Sequence, residues 1–379
     1  MQESSILDKV LSSKQVTDIQ NFAPAEIVAN LLKDLTQKES DTLSRRFGLS
    51  GLHSDTLEEI GKRFGVTRER VRQIEGAAIQ KLKHGRHFAE LVHPAEELIR
   101  QILETNGGVM TEEHLLADLF RDHAPREHDD VSVRFLINVM LTDRFDHVDA
   151  AEELRPGWKV KAVLLRPLQQ TLDAIVRYLD RAQQAMTVDT LLAKLADEPH
   201  FREQPDRLNE DKLISYLELS PKTGKNPFEE YGLSAWGSIA PRRMNDKIYL
   251  VLKKHGKPMH FTDIAQAINE AGFDRRRAYA PTVHNELILN KHYVLVGRGV
   301  YALRDWGYKP GVVADVLADI LRGSSKPMKR DELVAKVLEQ RQVKKNTIHL
   351  ALTDRTKFLK HADGAYSLVH QNIAEAAAP

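Results

Sequence analysis

The stretch of sequence that decides the fold is Thr56-Leu-Glu-Glu-Ile-Gly-Lys-Arg-Phe-Gly-Val-Thr-Arg-Glu-Arg-Val-Arg-Gln-Ile-Glu75. Thr56 followed three residues later by Glu59 is the pattern of a capping box, which starts a helix. Gly65 can adopt the left-handed conformation that ends this helix, and Thr67 can cap the next one. The stretch therefore predicts two helices joined by a tight turn, which is the pattern of a helix-turn-helix.

The second of these helices has one apolar side. At about 100° per residue, four apolar side chains fall on a single stripe, namely Val71, Ile74, Ala78 and Leu82. The first helix supplies apolar residues to face them, namely Leu57, Ile60 and Phe64. We expect these two sets to form a small core between the helices.

The opposite side of the second helix carries four polar side chains within an arc of about 140°, namely Arg68, Glu69, Arg72 and Gln73. Arginine pairs with the acceptor edge of guanine, glutamine pairs with adenine, and glutamate accepts a hydrogen bond from the cytosine amino group. A recognition helix inserts its N-terminal part in the major groove. We therefore predict that these four residues contact DNA bases.

Further residues on and around the two helices suit contact with DNA phosphates. They are Lys62, Arg63, Thr67, Arg70, Lys81, Lys83 and Arg86. The segment from Arg68 to Arg86 contains six basic and two acidic residues. Its net charge is therefore +4, whereas the formal net charge of the whole chain is +1. Phosphate contacts of this kind fix the register and make affinity depend on salt.

Three segments together resemble region 4 of the housekeeping sigma factors of bacterial RNA polymerase, namely Leu35–Glu39, Arg46–Leu49 and Thr56–Glu75. The resemblance implies that the residues matching Arg68, Glu69, Arg72 and Gln73 bind the −35 promoter element. It also implies that the first half of the domain docks on the flap of the polymerase β subunit. The promoter-melting region 2 of that family has no counterpart before residue 35, so we expect a chain that does not initiate transcription alone.

Past His87 the sequence repeats itself four times. Four methionines mark the repeats at spacings of 76, 73 and 69 residues, namely Met110, Met186, Met259 and Met328. The third and fourth copies agree best, since Gly256–Ile268 aligns with Ser325–Val337 and Gly299–Leu303 aligns with Gly364–Leu368. A repeat of this length corresponds to one small structural unit.

Each copy has the pattern of three helices followed by a β-hairpin, which is typical of a winged helix. In the third copy, Pro281 lies where a third helix would start. The segment from Asn245 to Tyr308 resembles the HARE-HTH module found in the delta subunit of RNA polymerase and beside some restriction and chromatin proteins. We expect the methionines to pack in the cores, and the aromatics Trp158, Trp236, Tyr301 and Tyr366 to pack each hairpin on its core.

Composition limits the classes of function. The chain of 379 residues with 29% charged and 42% hydrophobic residues is typical of a multidomain globular protein. It has no cysteine, which excludes disulfides, cysteine-ligated zinc and thiol nucleophiles. The histidines show no metal-ligand spacing, so we expect no metal and no cofactor. No signal peptide or long apolar run is present, so we expect a cytoplasmic, nucleoid-associated protein.

We predict a mostly α-helical chain in which a sigma region 4-like helix-turn-helix precedes tandem winged helix-like domains with short hairpin wings. The predicted ranges are an N-terminal arm at 1–23, the helix-turn-helix at 24–90, repeats at 94–163, 166–240, 242–308 and 310–370, and a tail at 371–379. A helix is expected from Pro24 to Leu35, because apolar residues recur there at helical spacing. The basic run Arg275-Arg276-Arg277 is either a secondary DNA contact or a charged loop between helices.

The leading hypothesis is a non-enzymatic transcription factor that binds double-stranded DNA sequence-specifically in the bacterial RNA polymerase system, with core polymerase as its protein partner. A second hypothesis is an adaptor that occupies the polymerase flap and modulates a true sigma factor. A third, an accessory DNA-binding subunit of a restriction or defence system, rests on analogy with other proteins that carry the HARE-type module.

Overall fold

The structure is a computed structural model, and it describes residues 19–49, 51, 53–122, 124–202, 208–308, 312–324, 326–340 and 343–369. Within them the chain is mostly helical, as predicted. None of the helices described is long and apolar enough to cross a membrane. The C-terminal tail and most of the predicted N-terminal arm lie outside the described residues. The chain divides into two compact units, Met1–Gly224 with Tyr231–Ser234, and Lys225–Glu230 with Ala235–Pro379.

Four helices make up the first part of the chain, namely α1 (Pro24–Leu32), α2 (Gln37–Phe47), α3 (Leu57–Phe64) and α4 (Arg68–Lys83). The predicted helix from Pro24 is confirmed, but it ends at Leu32 because a new helix start follows closely. Thr36 and Glu39 form a reciprocal capping box at the start of α2. We had not predicted this start, although the Thr-x-x-Glu spacing carries the signal for it.

A common order of elements then occurs four times: a helix, a short strand, a second helix, a third helix and a hairpin, with an extra short helix before the third helix of the second repeat. The first repeat contains α5 (Phe88–Thr105), β1 (Val109–Thr111), α6 (Glu112–Leu119), α7 (Asp129–Phe135), β2 (Phe145–Val148) and β3 (Gly157–Val160). The second contains α8 (Leu165–Ala182), β4 (Met186–Thr187), α9 (Val188–Leu195), the short α10 (Pro199–Arg202), α11 (Glu210–Leu219), β5 (Thr223–Lys225) and β6 (Glu230–Leu233).

The third repeat contains α12 (Met244–His255), β7 (Met259–His260), α13 (Phe261–Ala271), α14 (Ala280–Leu289), β8 (Tyr293–Gly297) and β9 (Val300–Leu303). The fourth contains α15 (Val313–Arg322), β10 (Met328–Lys329), α16 (Arg330–Gln340), α17 (Lys345–Ala351), β11 (Phe358–Lys360) and β12 (Ala365–Leu368). In every sheet the last strand lies in the centre, giving the orders β1-β3-β2, β4-β6-β5, β7-β9-β8 and β10-β12-β11.

The methionine that marks each repeat lies in the first strand of its sheet. Across the strands Met110 pairs with Trp158, Met259 with Tyr301 and Met328 with Tyr366. These three aromatics are buried, so the predicted packing of the hairpin on the core is confirmed for them.

The second repeat differs from the other three. Trp236 follows β6 in a turn and is only half-buried. The aromatic residue on the central strand is instead Tyr231, which is buried and occupies the second position of its strand, as Trp158 does in the first repeat. Trp236 lies beyond the end of the hairpin, so its packing on the core stays a prediction.

The predicted boundary between residues 90 and 94 does not separate two cores. Helix α5 runs through it without a break, with Pro94 inside the helix. One hydrophobic cluster contains Leu43 and Ala78 of the first four helices together with Phe135 of the first repeat. The rings of Phe47 and Phe135 lie 5.1 Å apart between centroids. The helix-turn-helix and the first repeat therefore share a single core.

Candidate nucleic-acid interface

Three capping interactions build the helix-turn-helix as the sequence predicted. The amide N–H of Thr56 donates to the Glu59 carboxylate at 2.7 Å, and the Thr56 hydroxyl accepts from the Glu59 amide at 3.3 Å. Gly65 ends α3 with φ of 64°. The Thr67 hydroxyl accepts from the amide of Arg70 at 3.2 Å and so begins α4. Helix α3 is thus fixed at both ends, and α4 at its start.

The inward side of α4 is apolar, which also confirms the prediction. Val71, Ala78 and Leu82 are buried, and Ile60 of α3 is fully buried as well. The other members of the two predicted stripes are half-buried, namely Ile74, Leu57 and Phe64. Burial of this stripe fixes the rotation of α4, so its opposite side faces solvent.

The four predicted base-contacting residues, Arg68, Glu69, Arg72 and Gln73, are all exposed. They are partly engaged with one another and with their neighbours. Arg72 donates to both carboxylate oxygens of Glu69, at 2.8 Å from Nε and 2.6 Å from Nη2. Arg70 donates from Nη1 to Oε1 of Gln73 at 3.1 Å.

The pair formed by Arg72 and Glu69 has an electrostatic consequence. The hydrogen bonds from Arg72 lower the pKa of Glu69, so the pair stays ionised at neutral pH. Both side chains are exposed, and an exposed ion pair contributes little to stability because solvent screens it. A DNA base could therefore exchange with either partner at little cost in free energy.

The predicted phosphate-contacting residues lie in unequal surroundings. Lys62 pairs with Glu58 at 2.9 Å, and Lys81 pairs with Glu39 at 3.1 Å. Lys83 donates to the hydroxyl of Thr142 at 2.9 Å, which turns it towards the first repeat. A phosphate would have to replace these partners.

Two arginines are better placed for a phosphate. Arg63 and Arg86 are exposed, and neither forms a hydrogen bond or ion pair with any residue that the structure describes. Arg63 lies in the last turn of α3 and Arg86 follows α4. The remaining predicted residues, Thr67 and Arg70, hold the cap of α4 and the contact with Gln73.

Ion pairs that we had not predicted tie α2 to α4 and to the loop before α3. Arg46 lies 3.6 Å from the carboxylate of Glu75, and Arg45 lies 3.1 Å from Asp41 and 3.7 Å from Asp55. Arg46 and Glu75 are far apart in sequence, and no local pattern links them. The packing of α2 on α4 brings them together.

The basic run Arg275–Arg277 lies in the turn between α13 and α14 of the third repeat, and all three side chains are exposed. The neighbouring carboxylate of Asp274 is bound to the buried Lys247 at 2.6 Å. This hydrogen bond lowers the pKa of Asp274. Because Asp274 is engaged by Lys247, the three arginines carry a concentrated positive charge.

Nothing in the described part of the chain groups three or more histidine or carboxylate side chains in a way that could hold a metal ion. Mutual hydrogen bonds and ion pairs hold the polar side chains around α4.

Comparison with known proteins places a family match on the same part of the chain. Residues 31–84 match the family Sigma-70, region 4. The resemblance stated for that segment is confirmed. The match contains helices α2 to α4 and only the last two residues of α1.

Three curated relatives are bacterial sigma factors. RNA polymerase sigma factor SigA of Listeria monocytogenes and that of Listeria innocua are each 40% identical over 87 residues, which is 22% of this chain and 23% of theirs. RNA polymerase sigma factor RpoD of Neisseria gonorrhoeae is 42% identical over 78 residues, or 18% of this chain and 12% of its own. The chain thus spans less than a quarter of the length of these relatives.

Proposed function

We propose that this chain is a non-enzymatic transcription factor that reads a −35-like promoter element in double-stranded DNA through helix α4. The observation that carries the proposal is the exposed row Arg68, Glu69, Arg72 and Gln73, opposite a buried stripe, within the segment that matches sigma region 4. The chemistry of these side chains suits guanine, cytosine and adenine edges. Core RNA polymerase, through its β flap, is the proposed protein partner.

The four repeats are proposed to be winged helix-like modules, the third of HARE-HTH type. Their support is the shared order of three helices and a hairpin, with the last strand central in each sheet. In this proposal they follow the helix-turn-helix along the chain as additional modules.

The test of base reading is selection of bound duplexes from a random pool, with and without core polymerase. We expect a selectable motif from the wild-type chain. Arg72→Ala or Gln73→Ala should relax the preference at one or two positions, each worth about 1–3 kcal/mol. Arg86→Ala is the matched control, since a phosphate contact weakens all sequences alike. An unchanged motif in Arg72→Ala would rule out direct reading by α4.

A second function has one observation in its favour. Lys62, Lys81 and Arg72 are neutralised by Glu58, Glu39 and Glu69, which reduces the attraction of this surface for DNA. An adaptor that docks on the polymerase flap would tolerate such pairing. Strong capture by core polymerase without DNA, together with no motif from the random pool, would favour the adaptor.

A further inference from the structure

The third helices of the four repeats differ in what covers them. In the first repeat, α7 docks on α1. Asp129 at the start of α7 is fully buried, and its two carboxylate oxygens accept from the amides of Ala25 at 3.2 Å and Arg126 at 2.8 Å. The Arg126 side chain pairs with Glu26 at 2.8 Å. The N-terminal end of α7 is therefore packed against α1 inside the protein.

In the second repeat, α11 docks on the first repeat. The Ser215 hydroxyl is buried and donates to the carbonyl of Val109 at 2.7 Å. The guanidinium of Arg155 donates to the carbonyls of Glu218 at 2.8 Å and Thr223 at 3.1 Å. An apolar cluster that contains Val109 and Leu219 completes the contact. This third helix is also committed to an internal interface.

The third helices of the other two repeats present exposed faces. On α14 the exposed residues include Thr282, Asn285 and Leu289, the last with 80% of its surface accessible. On α17 they include Asn346 and Thr347. Amide and hydroxyl side chains of this kind can contact base edges or phosphates.

Charge divides the repeats in the same way. The range 94–163 has eight Lys and Arg against fifteen Asp and Glu, and 166–240 has nine against twelve, giving net charges of −7 and −3. The range 242–308 has twelve against six and 310–370 has eleven against seven, giving +6 and +4. The near-neutral chain thus has an acidic middle and a basic C-terminal part.

The contrast is sharpest just where each third helix begins. The first two repeats have Asp129-Asp130 and Glu210-Asp211 there. The third repeat has Arg275–Arg277 immediately before α14, and the fourth has Lys344-Lys345, with all five of these basic side chains exposed. The third helices that pack inside the protein therefore begin with acidic residues, and the third helices with exposed faces begin with or follow basic residues.

We propose that the third and fourth repeats form a second DNA-binding surface, in which Arg275–Arg277 and Lys344-Lys345 contact the backbone phosphates of duplex DNA. The first and second repeats bind no nucleic acid; the first instead extends the core of the helix-turn-helix, and the second packs on the first. Duplex DNA is favoured over an acidic protein because amide and hydroxyl groups lie beside the basic residues in both repeats. The proposal concerns other residues than α4 and does not depend on base reading there.

The test uses the full chain and a long duplex of random sequence, with affinity measured by fluorescence anisotropy at several salt concentrations. Each phosphate contact adds about 0.9 to the salt slope, or roughly a 3.5-fold change between 50 and 200 mM. The variant R275A/R276A/R277A should therefore flatten the slope by about 2 to 3. Its loss of affinity over that range should be roughly 40-fold smaller than that of the wild type. K344A/K345A should flatten the slope by about 2.

A matched control removes three exposed basic residues from the second repeat, namely Arg166, Arg177 and Lys194. R166A/R177A/K194A changes net charge equally and should leave the slope unchanged within experimental error. Thermal unfolding verifies that all variants are folded. Equal slopes for the wild type and R275A/R276A/R277A would overturn the proposal and leave this surface to an acidic protein. Equal flattening by the control would also overturn it, since net charge alone would then explain the effect.

Discussion

Phe135→Ala is expected to destabilise the helix-turn-helix even though residue 135 lies in the first repeat. Phe135 is 2% exposed and contacts Phe47 of α2 in the shared core. Truncation of a buried phenylalanine costs about 3–5 kcal/mol. Because α2 packs on α4, we expect the loss to reach the recognition helix. Hydrogen exchange should show the amides of α4 exchanging about a hundredfold faster or more.

The matched control is Phe358→Ala. This residue is 3% exposed in the core of the fourth repeat, so the chemical change and the burial are alike. We expect it to raise exchange in α15 to α17 and to leave the amides of α4 unchanged. Should Phe135→Ala accelerate exchange only within residues 94–163, the shared core would not be a single cooperative unit.

The shared core affects the stability of the proposed DNA-binding helix-turn-helix. A short helix-turn-helix buries little apolar surface, and small domains are marginally stable for that reason. Here α5 and the first repeat add buried residues such as Ile99 and Phe135 to the same cluster as Leu43 and Ala78. The acidic first repeat thus contributes stability to the segment that carries α4.

Local features of this fold could be predicted from the sequence because each depends on residues a few positions apart. The caps at Thr56 and Thr67, the left-handed Gly65 and the buried stripe of α4 all follow from spacings within one helix or turn. The fourfold repeat was detectable for the same reason, since each copy carries its own methionine and central-strand aromatic.

What could not be predicted depends on pairs of residues distant in sequence. Phe47 contacts Phe135, and the Ala25 amide donates a hydrogen bond to the Asp129 carboxylate. Both contacts form only when the first repeat packs on α1 and α2. Asp129 reads in the sequence as an ordinary charged residue at a helix start, yet it is fully buried. The pair of Glu69 with Arg72 is different, since its spacing of three residues on one helix could have indicated it.

Gly61→Ala is expected to have a second large effect, because Gly61 lies against the turn between α3 and α4. A Cβ atom at Gly61 would lie 2.7 Å from the backbone carbonyl oxygen of Val66, closer than real Cβ contacts allow. The Val66 amide also donates to the Gly61 carbonyl at 2.9 Å, so the turn is held against α3 at this point. We expect the turn to move outwards, at a cost of about 1–3 kcal/mol from overpacking.

Movement of this turn would also displace α4, which begins at the next residues. Arg68, Glu69, Arg72 and Gln73 would move with it relative to α2 and α3. Since each base contact is worth about 1–3 kcal/mol, loss of two should weaken binding of a selected site at least about tenfold. Urea unfolding and anisotropy with the selected duplex measure the two effects separately.

Gly76→Ala provides the control with the opposite sign. Gly76 lies inside α4, is exposed, and a Cβ there would meet no atom within 4 Å. Alanine is favoured over glycine in a helix interior by about 1 kcal/mol, so this variant should be more stable than the wild type. A shift of the urea midpoint in the same direction for both substitutions would contradict the hypothesis. The contact between the turn and Gly61 would then not determine the position of α4. If Gly61→Ala alone lowers stability and affinity together, the glycine at this position sets the angle at which the recognition helix leaves the core.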